Sequence, residues 1–209
     1  MNVAIIGASG YTGLELIKIL INHPRFNIAY IANSSGEMNV QDLHPCLKNV
    51  INMDVSLANA SEVAKVADLA FLALPHKTAM AFAKDLLNLG VKVVDLSADY
   101  RLSLENYEKH YCEHEDKEHI NEAVYGLPEY FKEDIKTANL IANPGCYPTA
   151  SLLALLPFID YIDTDAPIFI DAKSGVSGAG KNPSETTHYC QINDNVHAYN
   201  PFKHRHIPE

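Results

Sequence analysis

The chain has no stretch of about 18 or more consecutive apolar residues, so no membrane-spanning helix is expected. An excess of positive charge is missing as well. Its 16 Lys and Arg stand against 26 Asp and Glu, for a formal net charge of −10. Nonspecific affinity for nucleic acid or an anionic membrane needs the opposite sign, so neither is expected as a partner. Basic residues gathered locally would still admit a small anionic substrate. Cysteine is scarce: positions 46, 112, 146 and 190 are far apart, and no CxxC occurs. Disulfide frameworks belong to small secreted chains, so reduced thiols in a cytoplasmic protein are the expectation. The opening MNVAIIGASG carries neither a charged leader nor a cleavage site, and is not expected to be a signal peptide.

What remains is an ordinary globular composition, 47% apolar and 20% charged. Short apolar runs alternate with helical patterns along the first hundred residues. Asn2–Ile6, Asn27–Ala32, Asp68–Leu74 and Val91–Leu96 read as strands, with helices over Leu14–Ile21 and Thr78–Leu89. The runs are continuous rather than alternating with polar residues. That pattern predicts an α/β fold, a parallel sheet buried on both faces. Asn139–Ala142 adds a short strand, Pro148–Leu156 a helix and Pro167–Ala172 another strand. A domain boundary is placed near Asn143–Cys146, giving a dinucleotide-binding domain over 1–143 and a second domain over 144–209. A domain of about 65 residues with so few apolar segments would bury little surface, so the second is expected to be incomplete or to rely on a partner.

Gly7, Gly10 and Gly13 follow the first strand and open the first helix, with Ala8, Ser9, Tyr11 and Thr12 between them. The first glycine suits a tight turn, the second a close backbone approach to pyrophosphate, the third helix–strand packing. The helix N-terminus then offers N–H groups to the phosphates. The competing reading is a plain glycine-rich turn. The second strand ends in Asn33-Ser34-Ser35-Gly36, without the acidic residue that binds an NAD ribose. Ser34 and Ser35 leave room for a 2′-phosphate, which favours NADP; otherwise the segment is a polar turn.

Cys146 stands in NPGCYPT just before a predicted helix, with Pro148 suited to the first turn. A helix N-terminus favours a thiolate, and Gly145 permits an unusual backbone angle that would expose the sulfur. The alternative is a buried cysteine acting as a small hydrophobe. His204 and His206 flank Arg205, and in extended chain both would point the same way. Either is a candidate acid or base, or else a surface histidine of a polar tail. Arg101 and Lys173 lie among the basic residues near these motifs. The acidic, histidine-rich stretch Ser103–Glu122 reads as an exposed excursion. Its His110, Cys112, His114 and His119 are read as an exposed helix rather than a metal site, although His110 and His114 have i, i+4 spacing.

Taken together these motifs resemble the N-acetyl-gamma-glutamyl-phosphate reductases, relatives of the aspartate-semialdehyde dehydrogenases. The resemblance runs through GASGYTG (7–13), LPH (74–76), DLSADYR (95–101), YGLPE (125–129), NPGCYPT (143–149), DAKSGVSGAG (171–180) and HRHIPE (204–209). It implies a Rossmann-like domain followed by an α+β catalytic and dimerisation domain, homo-oligomeric assembly, and a chain that continues past HRHIPE. It also implies a reaction of arginine biosynthesis. Cys146 attacks an acyl phosphate, phosphate leaves, and the thioester is reduced by NADPH to a semialdehyde. A histidine of the HRH motif handles the proton, His204 being preferred over His206. Arg101 and Lys173 contact substrate, and Ser174, Gly175 and Gly178 lie near the nicotinamide. The alternatives are an aspartate-semialdehyde-type dehydrogenase, a non-catalytic nucleotide-binding fragment, and a cysteine hydrolase, which would leave the glycine loop unexplained.

Overall fold

The computed structural model describes residues 1–209, which fall into two compact units, Met1–Asn143 and Pro144–Glu209. The first holds all the strands: β1 (Asn2–Ile6), β2 (Asn27–Asn33), β3 (Met38–Asn39), β4 (Asp54–Leu57), β5 (Leu69–Leu72), β6 (Lys92–Asp95), β7 (Val124–Tyr125) and β8 (Leu140–Ala142). They form one sheet in the order β3-β4-β2-β1-β5-β6-β8-β7, parallel throughout except where β3 meets β4. Its helices are α1 (Tyr11–Leu20), α2 (Val40–Leu43), α3 (Ala60–Val66), α4 (Thr78–Asn88), α5 (Leu104–His110) and α6 (Pro128–Thr137).

The central strand explains the doubly covered sheet. Successive side chains of β1 point to opposite faces. Ala4 and Ile6 pack with Val63 of α3 and with Met80, Ala83 and Leu86 of α4. Val3 and Ile5 pack with Ile17 and Leu20 of α1 and with Val40 of α2. Ile5 and Ile6 are wholly buried, each worth roughly 1.5–3 kcal/mol relative to exposure. From β1 the chain passes to β2 on one side, and β5 lies on the other. That reversal creates a crevice beyond the carboxyl ends of β1 and β5, where open α/β sheets take ligands.

Two expectations change within this unit. The stretch Ser103–Glu122 is anchored rather than exposed: Tyr107, His114 and Asp116 are fully buried and Ile120 nearly so. Helix α5 stops at His110, so His110 and His114 do not share a helix face. His114 instead bonds the Asp99 carbonyl through Nε2 at 2.8 Å and packs edge-on to Tyr100 and Tyr107.

The second unit opens with α7 (Cys146–Leu155), continues through short 3-10 turns, and holds one further helical turn, α8 (Tyr189–Ile192). Pro167–Ala172, expected as a strand, pairs with nothing and leaves Phe169 93% exposed. An apolar run specifies a strand only when another strand receives its hydrogen bonds, and residues 144–209 contain none.

Candidate active site

In the first unit the glycine loop follows β1 directly. Gly7 has φ +92°, and a Cβ there would sit 2.2 Å from the Ala73 carbonyl oxygen at the end of β5. A Cβ on Gly13 would lie 2.6 Å from the Gly7 oxygen. Neither position admits a side chain. The N–H groups of Gly7 and Ala8 both donate to Ala32 O, which ties the loop to the end of β2. Gly10 caps α1 without any side-chain bond, leaving Tyr11 and Thr12 exposed on the first turn. A backbone cradle that side chains would fill, opening onto a helix N-terminus, fits a dinucleotide pyrophosphate.

Asn33, a residue given no role from sequence, joins this loop to its neighbour. Its Oδ1 accepts from the N–H groups of Ser35 (2.9 Å) and Gly36 (2.6 Å), while Nδ2 donates to Ser9 Oγ at 3.1 Å. An Asn at a strand end followed by Ser-Ser-Gly is the signal that could have revealed it. Ser34 and Ser35 are exposed on the turn thus formed.

The segment after β6 is built on buried polar groups. Asp95 accepts from the N–H and the hydroxyl of Ser97 at 3.1 and 2.7 Å. Burial pushes its carboxyl up to about 7, against the lowering effect of those two bonds. Arg101 is half-buried and donates from Nε to Asn143 O (2.7 Å) and from Nη2 to Leu96 O (2.9 Å). Part of its fork is therefore engaged with backbone at the carboxyl edge of the sheet.

In the second unit Cys146 is exposed and is the first residue of α7. Its neighbour Gly145 does not use an unusual backbone angle: φ is −66°. Glycine is needed there for space. A Cβ would meet His206 Cε1 at 2.8 Å and Glu209 Oε2 at 2.9 Å. The Gly145 N–H donates to Glu209 Oε1 at 2.8 Å. An imidazole and a carboxylate thus pack against the residue that precedes the thiol.

The two histidines come together, in a stretch of turns rather than extended chain. Their rings meet edge to face with centroids 4.9 Å apart, and both also pack edge-on to Tyr147. The Nδ1 of His204 accepts from the His206 N–H at 3.1 Å, which leaves its Nε2 to carry the proton in the neutral ring. That Nε2 lies 3.2 Å from the Tyr199 hydroxyl, which in turn donates to Tyr147 at 3.0 Å. Burial first, and then the charge of Arg205, hold His204 below the usual histidine range. Tyr147, Tyr199 and Glu209 had no assigned role from sequence, although NPGCYPT contains the first and HRHIPE the last.

The remaining expected residues also fall in this unit. Lys173 is exposed and pairs with Asp171 at 2.6 Å. Ser174, Gly175 and Gly178 are exposed around a 3-10 turn over Val176–Ala179, with Ser174 Oγ donating to Gly175 O.

Comparison with known proteins adds to this geometry. Residues 2–138 match the model for the semialdehyde dehydrogenase NAD binding domain, and residues 146–209 that for the semialdehyde dehydrogenase dimerisation domain. The chain is 61% identical over 209 residues to a protein of Sulfurovum sp. named N-acetyl-gamma-glutamyl-phosphate reductase, covering 100% of this chain and 62% of that protein. A protein of the same name from Campylobacter curvus is 58% identical, again with 100% and 62% covered. The chain therefore spans about 62% of the length of these relatives. Among solved structures, an aspartate semialdehyde dehydrogenase with NADP from Candida albicans has a TM-score of 0.57 at 18% identity, over 77% of this chain and 47% of that one. Aspartate semialdehyde dehydrogenase II from Vibrio cholerae, complexed with ASA, gives 0.53 at 21% identity, over 76% and 46%. These two show likeness of fold.

Proposed function

The chain belongs to the semialdehyde dehydrogenase family, and we propose from this that it is an NADP-dependent reductase converting N-acetylglutamyl 5-phosphate to N-acetylglutamate 5-semialdehyde and phosphate, a step of arginine biosynthesis. The observation that carries the reading is the exposed Cys146 thiol at the head of α7, with His206 and Glu209 packed on its cap. The choice of acyl group rests on the relatives named above.

We assign residues 1–143 to NADP binding and 144–209 to the start of the catalytic and dimerisation domain, in a homo-oligomeric cytoplasmic enzyme. Gly7, Ser9, Gly10, Tyr11, Thr12 and Gly13 would hold the pyrophosphate. Ser34 and Ser35, the exposed hydroxyls directly after β2, would take the 2′-phosphate, with Glu37 standing at the far end of the same turn. Ser174, Gly175 and Gly178 would bind the nicotinamide, which when bound supplies a hydride. Arg101 and Lys173 would contact the substrate anion.

A histidine takes the Cys146 proton, and the sulfur attacks the acyl carbon. The C–O bond to phosphate breaks, leaving a thioester. After hydride reaches that carbon, the imidazolium donates its proton to the oxyanion. The same histidine then takes the hydroxyl proton back as the C–S bond breaks, releasing aldehyde and thiolate. We assign this role to His206 rather than His204. His206 packs on Gly145, whereas both ring nitrogens of His204 engage Tyr199 and backbone.

The test is oxidation of N-acetylglutamate semialdehyde with NADP and phosphate, followed by NADPH absorbance. Cys146→Ala is expected to abolish turnover and leave the NADPH Kd within about twofold. Turnover surviving in that variant would overturn the thioester route. Faster turnover of aspartate semialdehyde would move the substrate to the sister enzymes. NADP binding without turnover of either aldehyde would leave only a nucleotide-binding role.

A further inference from the structure

We propose that Asp99 is a positioning residue for dinucleotide binding: wholly buried, it holds the Lys77 turn at the end of β5 in the strained form that borders the glycine loop. The inference rests on the reading of that loop as a dinucleotide cradle.

The turn is unusual on its face. Lys77 has φ +71° and ψ −49°, a γ-turn-like conformation that side-chain-bearing residues rarely adopt and that needs support from its surroundings. Lys77 is also the cap of α4, yet contributes no side-chain bond to the helix. Asp99 does that work from another loop. Its Oδ2 accepts from the N–H of Lys77 at 2.9 Å and of Met80 at 3.1 Å. Its Oδ1 accepts from the Tyr107 hydroxyl at 2.7 Å. The Asp99 N–H donates to Ser97 Oγ at 3.0 Å, which fixes its backbone to Asp95 in turn. A carboxyl group at a helix N-terminus also interacts favourably with the helix dipole.

Strain of this kind is not demanded by the fold. Lys77 and Thr78 are exposed, so a relaxed turn at this point would leave the core beneath α4 in place. What the strained form does set is the path from Ala73 to Lys77. Ala73 donates to Ile6 O at 2.8 Å, and its own oxygen lies 2.2 Å from where a Gly7 Cβ would stand. Backbone meets backbone there without slack, so a shift in this turn is passed to Gly7. Asp99 has no exposed surface, so it reaches the turn through the N–H groups of Lys77 and Met80 and not by touching a ligand.

The measurement is the NADPH Kd of the whole chain, by nicotinamide fluorescence, with melting temperature alongside. Asp99→Ala is expected to raise the Kd about tenfold, as loss of a cap together with release of a strained residue would. Asp99→Asn keeps an acceptor facing Lys77 and Met80, and is expected to stay within about threefold. Lys77→Gly alone should bind normally. Added to Asp99→Ala, it should recover about half of the lost affinity on a logarithmic scale, because glycine adopts positive φ without support. A merely structural loss would not respond to it. Lys77→Pro, tolerated at a helix start but fixed at negative φ, should weaken binding about tenfold with Asp99 intact, and it carries the test should Asp99→Ala not fold. Wild-type affinity in either folded Asp99→Ala or Lys77→Pro overturns the proposal. No NADPH binding by the unaltered chain would instead overturn the cofactor reading beneath it.

Discussion

His206 lies across Gly145 so closely that a methyl group on the glycine would stand 2.8 Å from the imidazole Cε1. Gly145→Ala is therefore expected to displace the ring and the Glu209 carboxylate while α7 still forms. We expect kcat to fall about a hundredfold with the NADPH Kd unchanged. Steady-state kinetics beside a cofactor titration check this, and a kcat within threefold of wild type would show that the packing is incidental.

The turn after β2 carries the cofactor preference. Ser35→Asp places a carboxylate where a 2′-phosphate is expected and where NAD would offer a hydroxyl. The NADPH KM should rise about tenfold or more while that for NADH falls. If both move together, the turn does not read the 2′ position.

Asp95 gives the chain a pH-dependent stability. Burial raises its carboxyl from 3.8 to about 7, so between those values the folded chain binds a proton that the unfolded chain has released. The stabilising contribution is complete below the unfolded value and is lost as pH rises through about 7. Asp95→Asn stays neutral throughout. Relative to that variant the wild type should lose up to about 4 kcal/mol between pH ~4 and ~8. Parallel urea midpoints for the two proteins across this range would exclude Asp95 as the source.

Gly7→Ala meets two obstacles, a φ of +92° and a backbone oxygen 2.2 Å away. Loss of about 2–4 kcal/mol is expected from strain and displaced backbone. Denaturant unfolding measures it, and a change below about 0.5 kcal/mol would mean that the loop yields easily.

The long apolar runs were legible because burial on both faces forces them: β1, β2, β5, β6 and β8 lie within a few residues of their expected places. Strands as short as Met38–Asn39 and Val124–Tyr125 contain too few residues to show a period. Helix α6 buries no residue fully, and its apolar positions, Tyr130, Phe131 and Ile135, are too few among charged neighbours to mark a helix. The excursion from Ser103 looked solvated by composition, yet His114 and Asp116 are buried because tyrosine hydroxyls and backbone satisfy them, and charge counting does not register such bonds. At the candidate site, Cys146 and the histidines stood out by type. Glu209 did not, since its bond to Gly145 spans 64 residues. Gly145 itself was noticed for a freedom it does not use.

The apolar segment Pro167–Ala172 has a further consequence for handling the protein. Phe169 at 93% exposure and Ile170 at 56% project from backbone that pairs with no strand. Such a segment is adhesive: bare main-chain donors and acceptors alternate with greasy side chains, the pattern from which copies template one another. Concentrated solutions of this chain should therefore scatter light progressively, and Phe169→Lys should clear them without touching Cys146.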